Sequence, residues 1–211
     1  MNPAIKSFSL YRPTEQWIRE NSGHAWVKLD IDVPYDVISQ EAQAVFARSV
    51  EHREYDKVAG HTNQGWRSVC LHGISSESTG KDDTGNAMTW TDVSSQCPIT
   101  VDFVKQYWQE DTAGRVRFMW LAPNGHIMPH VDREHAMLFE CNVAIDHPDQ
   151  CAVQFMDRGC IPFESGSAFM IDTSYRHFAY NDSHKWRVHL IVHARLKPGI
   201  LQRSYEKSFY S

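Results

Sequence analysis

From Arg115 onward, apolar residues occur in short runs that are rich in β-branched and aromatic side chains and are separated by turn residues. The runs are VRFMWLA, LFECNVAI, CAVQFM, GSAFMIDT and WRVHLIVHARL. The breaks between or within them fall at Pro123-Asn124-Gly125, His147-Pro148-Asp149, Arg158-Gly159 and Asn181-Asp182. Several short strands at this spacing are typical of an antiparallel barrel or sandwich. The pattern therefore predicts a mainly β core, and the candidate chemistry lies in this part of the chain.

The N-terminal half shows a mixed pattern. Within residues 36–53, apolar side chains follow the i, i+4, i+7, i+8 spacing of one helix face. These side chains are Ile38, Ala42, Val45 and Phe46. Pro34 stands just ahead of the segment, which is consistent with a helix start there. We therefore predict a helix over residues 36–53.

A second helix is predicted to begin at Pro98 and to run through residues 99–110, because proline is tolerated in the first helical turn. Its apolar side would carry Val101, Val104 and Trp108. Between the two helices, the segment WRSVCLH at 66–72 predicts a strand. The Gly-, Ser- and Asp-rich residues that follow it predict a long surface loop, which is either functional or simply disordered.

Composition and charge limit the possible partners. The 211 residues are 42% hydrophobic and 12% aromatic, which is enough for a sizeable core. The formal net charge is -5, and there is no block of like charges. Nucleic acids and anionic membranes both favour a basic face, so we expect no nucleic acid and no membrane as partner.

We expect one domain, residues 1–211, and a cytoplasmic location. Residues 1–110 would form a mixed α/β part on the barrel, 115–196 the metal-binding core and 197–211 a tail. The five cysteines are odd in number and contain no CxxC pair, which argues against a disulfide framework and a zinc–thiolate site. The first residues lack the apolar core of a signal peptide, and no apolar run approaches the ~20 residues that span a bilayer.

A metal site is predicted from His130, Asp132 and His177. His130 and Asp132 are two positions apart, so on an extended strand their side chains share a face, and a turn at the strand end would also bring them together. His177 follows the run GSAFMIDTSY and would supply a third ligand. Two imidazoles and one carboxylate are the facial triad of a non-haem Fe(II) oxygenase, and a catalytic zinc site is the chemical competitor.

Arg187 is the second chemical signal. It lies in the segment KWRVHLIVHARL, in which Val188, Leu190 and Val192 form one aliphatic face and the other face starts with Arg187 and His189. A guanidinium turned into a barrel needs an anionic partner, since a buried unpaired charge is costly. The distal carboxylate of 2-oxoglutarate suits a bidentate arginine, and an internal Asp or Glu is the alternative.

At these residues the chain resembles the aspartyl/asparaginyl β-hydroxylase family, which includes bacterial cis-proline hydroxylases. Three segments carry the resemblance, and their order and spacing match. They are Pro123-x-x-His126-x-x-Pro129-His130, Gly166-x5-Asp172-x-Ser174-x-x-His177 and Arg187-x-His189-Leu190-x-Val192. The match covers about residues 115–196, and the N-terminal half matches only around Trp66.

The resemblance implies a double-stranded β-helix (a jelly-roll or cupin-like barrel) and an oxygenase that uses Fe(II), 2-oxoglutarate and O₂. Such an enzyme hydroxylates a C–H bond and releases succinate and CO₂. His130, Asp132 and His177 would be the ligands, Arg187 would bind the C5 carboxylate, and His189 would lie in the same site. The substrate would be an amino acid or an aminoacyl or peptidyl group of the Asp, Asn or Pro kind.

The chain departs from the family on the strand after the metal loop. Many members carry an Arg-x-His pair there, near the C1 end of the co-substrate, whereas Glu140 and Asn142 stand about there in this chain. Asn142 is able to donate to a C1 carboxylate, and Glu140 has the wrong sign. Asp172 is expected either to orient the loop that carries His177 or to cap a turn.

The candidates for substrate contact are Trp66, Arg67, His72 and Arg133. For Trp66 the alternative is a core position, and for the two arginines it is a solvated surface. His126 lies at an H-x3-H spacing from His130, which would suit zinc on a helix, but the proline between them argues against a helix.

Two other functions stay open from the sequence. One is a cupin-like metalloenzyme that does not use 2-oxoglutarate and has no need of Arg187. The other is a barrel that binds a metal or a small acid without turnover.

Overall fold

The computed structural model describes residues 24–52, 55–56, 61–79, 87–132 and 140–209. Three helices are present in these ranges: α1, Tyr35–Val45; α2, Pro98–Tyr107; and α3, Ile200–Phe209. The first six strands are β1, Trp26–Lys28; β2, Val50–Glu51; β3, Tyr55–Asp56; β4, His61–Thr62; β5, Gln64–Gly73; and β6, Thr89–Trp90. The others are β7, Val116–His130; β8, Glu140–Asp146; β9, Cys151–Phe155; β10, Gly159–Cys160; β11, Ala168–Ile171; β12, His177–Asn181; and β13, Arg187–His193.

The strands form a curled antiparallel sheet in the order β1-β11-β8-β13-β7-β12-β9-β10, and β5 also pairs with β7. Strand β7 connects the two halves of the curl. Its first half pairs with β13 and β5, and its second half pairs with β12. This exchange of partners produces the double-stranded β-helix that the sequence predicted.

The change of partner along β7 occurs at Pro123-Asn124-Gly125, where the sequence predicted a break. The strand does not end there; it bends. Asn124 takes a positive φ of 58°, a conformation that asparagine adopts more readily than most residues. A Cβ on Gly125 would lie 2.8 Å from the Ala122 carbonyl oxygen and 2.9 Å from that of Gln64, so only glycine fits. The turn residues thus bend one long strand from one sheet into the other.

The two faces of the sheet differ in what they bury. The outer face packs on the helices, and alternate residues of β13 lie there: Val188, Leu190 and Val192. The inner face encloses a second, smaller apolar cluster that includes Leu121, Phe155 and Phe169. Residues paired directly across antiparallel strands share a face. Arg187, which pairs with Leu121, therefore lies on the inner face.

The helix predictions need correction at their ends. Helix α1 stops at Val45 and is followed by a 3-10 turn, Phe46–Arg48, and by β2, so the predicted extension to residue 53 is wrong. Helix α2 stops at Tyr107, and its buried residues are Thr100, Phe103 and Val104 instead of Val101.

Helix α2 is capped from outside. The buried Glu41 carboxylate of α1 accepts hydrogen bonds from the backbone N–H groups of Ile99 and Thr100. The carboxylate also complements the positive end of the helix dipole. The predicted tail after residue 197 is largely helix α3, whose Tyr205 and Leu201 are buried on the outer cluster.

Within the described ranges, no helix combines the length and the apolar character that crossing a membrane requires.

Candidate functional site

The three predicted metal ligands meet at one end of the barrel. His130, the last residue of β7, is paired directly with His177, the first residue of β12, and the centroids of the two rings are 4.4 Å apart. Asp132 follows β7, and its backbone N–H donates to the Thr173 carbonyl at 3.1 Å. Asp132 thus lies two positions beyond the end of β7, and this backbone bond holds it beside the segment that precedes His177.

The candidate ligand atoms converge. The carboxylate of Asp132 lies 4.0 Å from His130 Nε2 and 3.9 Å from His177 Nε2, and one atom from each side chain lies within 4.8 Å of the others. Two atoms bound side by side to one ion are about 3 Å apart, given bond lengths near 2.1 Å. Side-chain movements of about an ångström would therefore complete the coordination. This geometry fits a divalent metal with open positions.

Backbone carbonyls orient both imidazoles. His130 Nδ1 lies 2.8 Å from the Met128 carbonyl oxygen, and His177 Nδ1 lies 2.9 Å from that of Tyr175. A carbonyl only accepts hydrogen bonds, so each Nδ1 carries the proton. Each Nε2 then has its lone pair directed at the common centre, as a metal ligand requires. Burial and the neighbouring His177 lower the pKa of His130, which favours this neutral form.

Asp172 fixes the turn in front of His177. Its Oδ1 accepts a hydrogen bond from the Ser174 backbone N–H at 3.0 Å and another from the Ser174 hydroxyl at 2.6 Å. The same turn presents the Tyr175 carbonyl to His177. The two expectations for Asp172 are therefore one arrangement, because capping the turn holds the carbonyl that orients the imidazole.

Arg187 is a charge in the inner apolar cluster. Its side chain is 3% exposed, and its Nε and Nη1 atoms have no hydrogen-bond partner among the described residues. No acidic side chain of the described ranges forms an ion pair with it, and the thiol of Cys151 is a hydrogen-bonding neighbour of the guanidinium. Burial lowers the pKa of the guanidinium. The internal ion pair considered from the sequence is thus absent among the described residues, and the two N–H groups require an acceptor from outside these residues.

Beside Arg187, hydrogen bonds connect Asn142, His189 and His147. His189 Nδ1 lies 2.6 Å from Asn142 Oδ1, and His189 Nε2 lies 2.9 Å from His147 Nδ1. His147 Nε2 lies 3.0 Å from the Cys151 carbonyl oxygen, which ends the series. Both nitrogens of His189 are therefore bonded within the protein. Any contribution of His189 to ligand binding is indirect.

Burial and charge depress the pKa of both imidazoles in this series. The pKa of His147 falls to about 4, because of burial first and the positive charge of Arg187 second. The pKa of His189, which is fully buried, lies well below 6.5 for the same two reasons, with His147 adding to them. From the sequence, His147 was recognised only as part of a break between strands. Its one signal is a histidine at the end of a predicted strand, and its partner lies 42 residues further along the chain.

Glu140 lies near the metal ligands, on the strand that follows the metal loop. Its carboxylate is 3.5 Å from His193 Nε2. Burial and the nearby Asp132 carboxylate raise the pKa of Glu140 to about 7, although Arg117 and Arg115 oppose the shift. The negative charge that the sequence placed here is thus partly suppressed at neutral pH.

The predicted substrate residues separate into two groups. Trp66 is paired with Leu121 and packs against the inner cluster, and its buried indole N–H has no partner among the described residues. Arg67 points to the other face, where it donates to the Ser49 hydroxyl and carbonyl and lies over the Phe46 ring.

Of the two other substrate candidates, only His72 lies in the described residues, and it is far from the triad. His72 is paired with Val116, at the opposite end of β7 from His130, and its Nδ1 lies 2.6 Å from the Gly114 carbonyl oxygen. Arg133 lies outside the described residues. His126 is in the extended part of β7, where it pairs with Tyr180, so the helical H-x3-H arrangement does not form.

A double-stranded β-helix with two imidazoles and a carboxylate converging at its rim defines a class, the non-haem metal-dependent barrels. Within that class, the chain belongs to the aspartyl/asparaginyl β-hydroxylase family, whose profile matches residues 33–196. The family match extends well beyond residues 115–196, over which the sequence resemblance was specific. No curated protein sequence matches the chain.

Solved structures share the fold at low sequence identity. A 2-oxoglutarate–Fe(II) oxygenase family oxidoreductase from Burkholderia pseudomallei superposes with a TM-score of 0.52 at 13% identity, over 86% of this chain and 92% of that one. The non-haem α-ketoglutarate-dependent epimerase SnoN of nogalamycin biosynthesis gives 0.51 at 11% identity, over 84% and 79%. A prolyl hydroxylase from Trichoplax adhaerens, complexed with a hypoxia-inducible-factor peptide, gives 0.50 at 8% identity, over 83% and 85%.

Proposed function

We propose that this protein is an Fe(II)- and 2-oxoglutarate-dependent hydroxylase in which His130, Asp132 and His177 hold the iron and Arg187 binds the C5 carboxylate of 2-oxoglutarate. The substrate class is an amino acid, or an aminoacyl or peptidyl group, of the Asp, Asn or Pro kind, with succinate and CO₂ as co-products. Family membership supports the reaction class. The residue roles rest on one observation: the convergent triad occurs together with a buried arginine whose Nε and Nη1 have no acceptor among the described residues.

The donor set fits iron. Two neutral imidazoles and one carboxylate leave three coordination positions for a chelating co-substrate and O₂. When bound, the iron supplies the oxidative chemistry, and the protein supplies binding and orientation. The Met128 and Tyr175 carbonyls fix the imidazole tautomers, and the Asp132–Thr173 backbone bond fixes the carboxylate between them.

The interior residues set the direction of the co-substrate. Arg187 lies on the inner face with Leu121, Phe155 and Phe169, so its two unbonded N–H groups offer a buried site for an anion. A bidentate guanidinium–carboxylate pair fixes orientation as well as affinity. The opposite end of a dicarboxylate bound there is free to approach the rim that carries the metal ligands.

Trp66 and Asn142 are the remaining contacts we assign to this interior. The indole N–H of Trp66 is a buried donor without an acceptor among the described residues, which suits a substrate or co-substrate oxygen. The amide of Asn142 is bonded through one end only and leaves Nδ2 for a ligand. We do not include Arg67 and His72, because their polar atoms are engaged elsewhere.

We also propose that the protein works in a reducing compartment such as the cytoplasm. The five cysteines are all free thiols, and four of them are buried in the fold. Burial raises the pKa of Cys97 to about 12, which makes its thiol unreactive.

The test is a screen of free amino acids, and of peptides that contain Asp, Asn or Pro, under Fe(II), 2-oxoglutarate and O₂. We expect succinate release coupled to a product whose mass increases by one oxygen atom. Asp132→Ala should lose both signals, and His184→Ala, at an exposed histidine, should retain them. Full activity without 2-oxoglutarate, or with Arg187→Ala at unchanged co-substrate affinity, would contradict the proposal.

A further inference from the structure

The hydrogen bonds around His189 pose a proton-counting problem. Three contacts follow one another: the Cys151 carbonyl with His147, His147 with His189, and His189 with Asn142. Each contact requires one proton between its two heavy atoms. Both ends of the series, the Cys151 carbonyl and Asn142 Oδ1, are acceptors. All three protons must therefore come from the two imidazoles.

Two neutral imidazoles carry only two protons. The arrangement with Oδ1 of Asn142 toward His189 thus belongs to a pair that carries one positive charge. A neutral pair satisfies the same contacts only if the Asn142 amide turns, so that its Nδ2 donates to His189 Nδ1. Both arrangements occupy the same space, because the two ends of an amide are nearly isosteric. The charge of the histidine pair and the direction of the amide are linked.

Which arrangement prevails depends on the charges around the pair. Arg187 on β13 disfavours a second cation nearby, and the pair is buried against the Phe163 ring. Asp149, in the turn before β9, acts in the opposite direction, and Cys151 on β9 is held as a thiol by burial. Without an anion at Arg187, the balance favours the neutral pair, with the Asn142 oxygen directed into the barrel.

A carboxylate bound at Arg187 shifts this balance toward the protonated pair, although burial continues to oppose the charge. The negative charge cancels that of the guanidinium, which is the main charge opposing protonation of the pair. Protonation then turns the Asn142 amide, so that Oδ1 accepts from His189 and Nδ2 becomes a donor toward the barrel. The proton comes from solvent.

We propose that binding of the 2-oxoglutarate dianion is coupled to uptake of one proton by the His147–His189 pair, and that this proton turns Asn142 into a hydrogen-bond donor for the ligand. His147 is then a positioning residue that acts through His189 and Asn142. The inference rests on the proposed function, because it places the C5 carboxylate at Arg187.

The test is titration calorimetry of 2-oxoglutarate into protein saturated with Mn(II), in buffers of different ionisation enthalpy between pH 6.0 and 7.5. The dependence of the observed heat on the buffer gives the number of protons taken up. At the acidic end of this range we expect uptake approaching one proton per bound ligand. The Kd should increase as the pH rises, by up to about tenfold per pH unit. Binding without proton uptake overturns this inference alone. No binding at all contradicts the proposed function as well.

Two variants locate the proton. His147→Phe removes the partner of His189 Nε2 and should abolish the uptake, whereas His184→Phe, at an exposed histidine, should leave it unchanged. Asn142→Asp supplies a carboxylate that keeps the pair charged before the ligand binds. It should also abolish the uptake, and it should weaken binding. If His147→Phe does not fold, Asn142→Asp decides the question. Uptake that survives in a folded variant assigns the proton to another group, such as Glu140, and overturns the proposal.

Discussion

The barrel contains two pairs of histidines that differ in how they are held. His130 and His177 each bond a backbone carbonyl two residues earlier in the chain, so each Nε2 has its lone pair available at the rim. His147 and His189 bond each other, so both nitrogens of each ring are used inside the protein. The residue type is the same, but the anchoring differs. An imidazole held by the backbone is available to a metal, and one held by another side chain carries charge and orientation to a neighbour.

The two histidine pairs also differ in their exposure to solvent and in the charge of the side chains beside them. The side chains of the rim pair are 14% and 11% exposed, and a carboxylate lies within 4.0 Å of both rings. The interior pair has an arginine beside it, and His189 is fully buried. The rim therefore suits a cation, whereas the interior suits an anion. This contrast supports the assignment of the metal to one pair and of the dicarboxylate to the other.

The largest effect should be a loss of metal affinity when a ligand of the triad is removed. Asp132→Ala removes the only carboxylate of the triad and leaves two imidazoles. We expect metal affinity to fall by more than about a hundredfold, since loss of even a supporting outer-shell group costs ten- to a hundredfold. Metal content after dialysis and anaerobic Fe(II) titration measure the loss. If the variant retains the metal stoichiometry of the parent, the ion lies elsewhere.

The interior should respond differently to the loss of its charge. Arg187→Met should raise the Kd for 2-oxoglutarate by about a hundredfold, because two charge-assisted hydrogen bonds are lost at ~1.5 kcal/mol or more each. Metal affinity should not change. The free energy of unfolding of the ligand-free protein should rise by about 1 kcal/mol, because an apolar side chain replaces a buried charge that forms no ion pair with the described residues.

Denaturant unfolding and ligand titration of the same Arg187→Met sample separate the two effects. Arg187→Lys is the matched control, since it keeps the charge and loses the fork. Its Kd should lie between those of the parent and the Met variant. A variant that loses affinity and stability together would show that Arg187 has a structural partner.

The contrast between the two histidine pairs also explains why the sequence predicted the metal ligands but not the role of His147. His130, Asp132 and His177 were identified because their spacing and the strand ends around them are local features, and a family resemblance reinforced them. Arg187 and the inner face of β13 followed from two-residue alternation. His147 was missed because its role depends on the register of β8 and β13, which places it 2.9 Å from a residue 42 positions away. Composition and periodicity cannot predict a contact between two side chains that are distant in the sequence.

The helix ends were mispredicted for a related reason. Helix α2 begins at Pro98 as predicted, where Glu41 of another helix supplies the cap, but it ends early, because Trp108 forms an isolated β-bridge with Leu196 instead of extending it. The bend of β7 at Pro123-Asn124-Gly125 resembles a loop in sequence, and only the partner strands make it a continuation. Pairing between distant segments therefore decided both where α2 ends and how β7 continues.

A smaller effect should appear as a pH dependence of stability. The pKa of His147 is about 4 in the fold and about 6.5 in an unfolded chain, so the unfolded state binds more protons between these values. Stability is therefore fully present above about pH 6.5 and falls as the pH is lowered toward 4. Between pH 7 and 5 we expect a loss of about 2 kcal/mol from this group alone.

His147→Phe removes that titration and should lose about 2 kcal/mol less over the same interval, as measured by denaturant unfolding at both pH values. His184→Phe is the control for loss of a histidine. Equal pH slopes in the parent and in His147→Phe would mean that His147 is already solvated in the fold.

The smallest effect should distinguish the two faces of β5. Arg67 and Trp66 are neighbours in sequence, and alternation directs them to opposite faces. Arg67 bonds Ser49 and lies over Phe46, whereas Trp66 packs on the inner cluster. Arg67→Met should lower the free energy of unfolding by about 0.5–1 kcal/mol through the lost ring contact, and should leave the Kd for 2-oxoglutarate within about twofold of the parent, because side chains engaged on the outer face have no contact with an interior ligand. Trp66→Phe keeps the aromatic packing and removes only the N–H, so a change of affinity in that variant identifies a hydrogen bond to the ligand.

A strong loss of affinity in Arg67→Met would reverse the assignment of the faces and would place the substrate on the helical side of the sheet.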